Sequence, residues 1–124
     1  MRSLRTFLKS FVYATEGIAH GFRTQRNMRV ELTIAVAVVL GGILFRISAV
    51  EWALISLCIG LVLAAELINT VTELAVDLLT QRYHPMAKLA KDAGAGAVLI
   101  TALASVAVGV AIFGPRLWRL LLGG

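Results

Sequence analysis

The segment ELINTVTELAVD, residues 66–77, sets three carboxylates and an asparagine directly behind an uncharged apolar run, WALISLCIGLVLAA. On a helix turning about 100° per residue, with Glu66 at zero, Asn69 falls at about 300°, Glu73 at about 340° and Asp77 at about 20°. The four polar side chains therefore share one stripe about 80° wide, and the opposite side is Leu, Ile, Val and Ala. A carboxylate near the centre of a bilayer costs at least ~2.5–3.5 kcal/mol on insertion scales. Hydrogen bonds between membrane helices return only ~0.6 kcal/mol each. Three acids on one face thus call for metal, cations or water as partners. The deepest, Glu66, suits a proton acceptor. Glu73 and Asp77 suit a divalent cation, or Lys91 and Arg82 across the loop that follows. A phosphate bridged by metal to those acids would also meet the Lys91 ammonium of AKLAKDAGAGA.

The elements that must hold this stripe follow from the hydrophobic pattern. Of the 124 residues, 59% are apolar and 15% charged, against roughly 45–50% and about 25% in soluble domains. Apolar runs of about 20 residues cross a bilayer as helices, and three are visible: Val30–Ile47, Trp52–Leu79 and Ala93–Gly114. Gly41-Gly42 weakens the first locally, and Ser48–Glu51 reads as a short turn before an interfacial Trp52. Upstream, Leu4, Phe7, Leu8, Phe11, Ile18 and Phe22 recur at spacings that predict an amphipathic helix over about residues 3–24. Its basic polar side suits a membrane surface; packing on a partner protein is the alternative, and Gly17 and Gly21, one turn apart, either break it or admit a neighbour closely. The expected architecture is all-α, one domain over residues 1–124, with a surface helix and three spans.

Residues 1–29 carry six of the twelve Lys and Arg (Arg2, Arg5, Lys9, Arg23, Arg26, Arg29) against Glu16 alone. That excess sets the N-terminus in the cytoplasm, in a multi-pass protein. Arg82, Lys88 and Lys91 then fall inside as well, whereas Arg116 and Arg119 fall outside, against the rule. The net charge of +5 belongs to residues beside the spans, where anionic lipid is a nearer partner than nucleic acid. No cleavable signal peptide is expected, and the lone Cys58 supports neither a disulfide nor a metal site.

The stretch ELINTVTELAVDLLTQRYHPMAKLAKDAGAGAVLI, residues 66–100, resembles the signature of the small bacterial integral-membrane lipid kinases, the diacylglycerol kinase and undecaprenol kinase family. The similarity continues upstream through KSFVYATEGI and QRNMRVEL. The resemblance implies a homotrimer in the bacterial cytoplasmic (inner) membrane that phosphorylates a membrane lipid alcohol with ATP and Mg2+. It makes Glu66 the general base, with Asn69 beside it, and Glu73 the magnesium ligand. Lys91 and Asp92 match the pair at the nucleotide phosphates, and Tyr13, Arg82, Tyr83 and His84 match positions around ATP. Glu31, Glu66 and Ala95 match the lipid site. Gln25 stands where some members carry a second metal-binding glutamate, and Thr6 where some carry a substrate-contacting arginine, with Arg5 adjacent. The YHPMAKLAKD turn is closer to the undecaprenol branch. A small oligomeric ion-pathway or transport subunit with intramembrane acids, and a structural assembly partner, are the competing readings.

Overall fold

The computed structural model describes residues 3–123 as four helices. Met1, Arg2 and Gly124 lie outside the described residues, Arg2 being one of the six N-terminal basic residues counted above. α1 (Leu4–Thr24) starts at Ser3, whose hydroxyl accepts from the Thr6 amide at 3.3 Å. It runs unbroken through Gly17 and Gly21. Gly21 is buried at the crossing with Met28 and Leu67, which lie where a Cβ would have to go. A single extended residue, Gln25, separates α1 from α2 (Arg26–Phe45). Arg29 reaches back to the carbonyls of Phe22 (3.2 Å) and Arg23 (2.9 Å), a cation on the negative end of the α1 dipole that fixes how the two helices meet.

The turn from α2 to α3 (Ala49–Leu79) is stiff. Arg46 adopts the left-handed conformation (φ 51°) that closes the helix, a geometry disfavoured for any residue with a Cβ. Ile47 follows it into the core. Ser48 and Glu51 form a reciprocal capping box at the start of α3, satisfying amides a helix end leaves open. Trp52 lies against Gly42, so its indole packs on α2 and is half-buried.

α3 and α4 (Pro85–Leu122) form a long antiparallel hairpin that supplies most of the tertiary packing. Its turn is closed by Thr80, and by His84, whose Nδ1 accepts from the Met86 amide at 3.1 Å. Pro85 then occupies the first helical position, where its missing N–H costs nothing. α4 therefore begins eight residues before the apolar run at Ala93. At about 1.5 Å per residue, α3 is about 46 Å long and α4 about 57 Å, both longer than a hydrocarbon core of about 30 Å.

α2, α3 and α4 are each long and apolar enough to cross a membrane. Their large aliphatic residues, such as Leu44, Leu57, Ile100 and Leu103, point away from the protein, as lipid-facing side chains do. The interior is correspondingly thin. Ile47, Ile55 and Ile112, with Val38, Phe45, Trp52, Ile59, Val108 and Phe113 around them, fill the end of the bundle that holds the α2–α3 turn. There the Arg116 guanidinium grips Glu51 with two 2.8 Å hydrogen bonds and also donates to the Ile112 carbonyl at 2.6 Å. Arg116, one of the two residues that break the charge rule, is thus neutralised within the fold. The acidic stripe lies toward the other end.

Candidate active site

α3 orders the polar groups along its axis. Glu66 comes first, buried to 2% exposure. Its carboxyl abuts that of Glu31 on α2, and one oxygen of each is buried without a hydrogen-bond partner. Thr70, one turn on, donates its hydroxyl back to the Glu66 carbonyl at 2.9 Å and leaves the carboxyl alone. Two carboxyls in contact, each with a free acceptor, form a place where an incoming hydroxyl can donate its proton.

Asn69 follows, its Oδ1 also buried and unpartnered. That oxygen is pressed against Gly94 on α4. Two and three turns beyond Glu66, Glu73 and Asp77 meet Lys91, whose Nζ lies 2.8 Å from Asp77 Oδ1 and 3.4 Å from Glu73 Oε2. Asp92 takes a different partner, Lys88, four residues earlier on the same helix. The sequence-adjacent Lys91 and Asp92 therefore point to different neighbours, as residues about 100° apart on a helix must.

Two recesses flank this line. A polar one of about 280 Å³ at the α3–α4 turn is lined by Asp77, Thr80, Arg82, Tyr83, His84, Lys88, Lys91 and Asp92 among others. It gathers Arg82, Tyr83, His84, Lys91 and Asp92, but not Tyr13 or Gln25. Tyr13 is 64% exposed on α1, and Gln25 is half-buried at the α1–α2 junction, where its side chain caps neither helix. Ala95 is exposed on α4.

The second recess, about 440 Å³, is an apolar cleft where α2 and α4 splay apart over α3. Ile34, Ala35 and Val38, Ile55, Ile59 and Val62, and Ala102, Ser105 and Gly109 line it, with Glu31 among them. The sequence reading passed over this cleft. Its signal was the small residues Ala102, Ser105 and Gly109, spaced three and four apart so that one face of α4 lacks bulk.

Among the described residues, no three His, Cys, Asp or Glu side chains converge as a ready-made metal site. Magnesium seldom needs one: it commonly takes one or two carboxylates and leaves its other positions to phosphate and water. Glu73, partly exposed beside the basic recess, fits that role.

The chain matches the family model described as prokaryotic diacylglycerol kinase over residues 12–113. It is 46% identical to an undecaprenol kinase of Bacillus subtilis over 92% of this chain and 93% of that protein. It is 44% identical to a diacylglycerol kinase of Synechocystis over 92% of this chain and 66% of that one. A diacylglycerol kinase of Escherichia coli K12 is more distant, at 26% identity over 80% of this chain and 81% of that one. The ion-pathway reading of the acids gains nothing from these relatives. An apolar cleft, a buried carboxyl pair and a basic recess in line suit the chemistry those matches point to, and by them the chain belongs to the prokaryotic diacylglycerol kinase family and is a lipid kinase.

Proposed function

We propose that the chain transfers the terminal phosphate of ATP to the hydroxyl of undecaprenol, with diacylglycerol as the other candidate acceptor. The observation that carries this reading is the order of groups along α3: apolar cleft, Glu31–Glu66 pair, Asn69, Glu73 with Lys91, basic recess. From Glu66 to Glu73 is about 10 Å along the axis, room for a hydroxyl at one end and a triphosphate at the other.

In this reading the cleft takes the hydrocarbon of the acceptor and Glu31 holds its hydroxyl, with Ala95 near the lipid. Glu66 takes the proton as the oxygen attacks phosphorus. Asn69 faces the reacting oxygens. Lys91 leaves Asp77 for the phosphates, where its charge balances theirs, and Arg82, Tyr83, His84 and Asp92 hold the nucleotide. Glu73, aided by the carboxamide of Gln25, would hold Mg2+, which when bound offsets negative charge on the phosphate oxygens. Phosphoryl transfer asks for alignment and charge neutralisation more than covalent chemistry, and these residues supply both.

Tyr13 and Gln25 stand away from the basic recess of their own chain, which supports a site shared between subunits of a homotrimer. The exposed Phe7, Leu8 and Phe11 beside Arg5 and Lys9 support α1 lying on the cytoplasmic surface of the bacterial inner membrane. The undecaprenol choice rests on the YHPMAKLAKD turn and on the similarity to the Bacillus enzyme. Purified protein in mixed micelles, given ATP labelled at the terminal phosphate and each lipid in turn, tests it. Label is expected in undecaprenyl phosphate. Preferential label in phosphatidic acid reassigns the acceptor, and label in neither lipid overturns the proposal.

A further inference from the structure

Asn69 and Gly94 face each other across the α3–α4 interface at a separation where any Cβ would force the Asn69 side chain to move. A Cβ on Gly94 would stand 2.5 Å from Asn69 Oδ1, 3.5 Å from Asn69 Cγ and 3.7 Å from Thr72 Cβ. At Gly96, two residues on, the same atom would meet nothing within 4 Å. The Asn69 oxygen is buried and lacks a donor. Only the Gly94 Cα hydrogens are small enough to lie against it, as weak C–H···O donors. If the interface served packing alone, a donor on α4 would satisfy this oxygen. Instead α4 offers a gap that receives one end of the carboxamide and leaves the other, the N–H end, as the one able to meet an incoming oxygen.

We infer that Gly94 is a positioning residue for phosphoryl transfer: it admits the Asn69 oxygen to the α4 backbone and so fixes the Asn69 amide with its donors toward the reacting oxygens. The inference rests on the reading of Asn69 as part of the catalytic face. Ordinary close packing predicts a different outcome: the added methyl would displace the Asn69 side chain and cost stability, while kcat per folded molecule stayed native. As a positioning residue, Gly94 forces Asn69 to rotate when a methyl is added, and the donors leave their place.

The test compares Gly94→Ala, Asn69→Ala, the double variant and Gly96→Ala as purified full-length chains in mixed micelles with Mg-ATP and either undecaprenol or dioleoylglycerol. Gly94→Ala is expected to lower kcat roughly tenfold to a hundredfold with little change in either KM. Gly96→Ala is expected to match the native chain, and the double variant to match Asn69→Ala alone, since two changes that act through one group do not add. Native kcat in Gly94→Ala, or losses that multiply in the double variant, overturn the inference. Native kcat in Asn69→Ala sinks the reading of Asn69 itself and is seen separately. Should Gly94→Ala fail to fold alone, a folded double variant equal to Asn69→Ala supports the pairing and a further loss overturns it.

Discussion

The Lys91 ammonium lies 2.8 Å from the Asp77 carboxylate, joining α4 to α3 across fourteen residues of chain beside the recess assigned to the nucleotide. Both side chains are substantially exposed, and exposed ion pairs add little to stability. Lys91→Met is therefore expected to leave the unfolding temperature within a few degrees of native while kcat falls at least ~100-fold, the scale on which a charge that stabilises a transition state is felt. Asp77→Asn, which loosens Lys91 without removing it, should cost less. Kinetics and thermal unfolding on the same preparations check both.

Among the described residues no cation pairs with the Glu66 carboxyl, which is buried beside that of Glu31. Glu66→Gln keeps the shape and removes the acceptor for the hydroxyl proton. It is expected to lower kcat by ~100-fold or more and to hold or raise thermal stability, because a buried acid set against a second carboxyl is replaced by a neutral isostere. Activity that survives Glu66→Gln would move the proton to another group.

The cleft prediction uses Gly109, where a Cβ meets open space. Gly109→Leu sends a side chain into the recess between α2 and α4 and restores helix propensity. The KM for the lipid should rise roughly tenfold, the size of a few lost methylene contacts, while the KM for ATP stays native. Steady-state rates at varied acceptor and at varied ATP separate the two.

At the opposite end, Arg116 holds both Glu51 oxygens, and Glu51 also accepts from the Ser48 amide at 3.0 Å. Arg116→Ala strips the charge partner from Glu51 and unties the α2–α3 turn from α4. The unfolding temperature in micelles should fall by several degrees, with kcat per folded molecule close to native. A loss of kcat without a loss of stability would place Arg116 in the chemistry instead.

In the proposed function Gln25 joins Glu73 at the magnesium ion, and a carboxylate at position 25 would add charge there. Gln25→Glu is expected to lower the Mg2+ concentration that gives half-maximal activity. Coincident magnesium titrations of the native and variant chains would exclude Gln25 from the ion.

Much of this architecture can be read from the order of residues. Apolar run length marks the three long helices, Pro85 after His84 marks the start of α4, and the 3.6-residue period places Glu66, Asn69, Glu73 and Asp77 on one face. Features that depend on how two helices sit against each other are harder to read. Glu51 reads as part of a turn and Arg116 as a charge on the wrong side, and only their meeting explains either. Asn69 against Gly94, Glu66 against Glu31 and the hollow beside Ser105 likewise depend on register between segments far apart in the chain. Periodicity within one helix says nothing about its register against a neighbour.

Because Glu66, Asn69, Glu73 and Asp77 all ride on α3, they share one rigid ruler. Sliding or tilting that ruler moves them together and leaves their spacing intact. In the proposed enzyme, the height at which an alcohol floats in its leaflet would then decide whether it is phosphorylated, and bilayers of different thickness would change the rate without any change at the nucleotide.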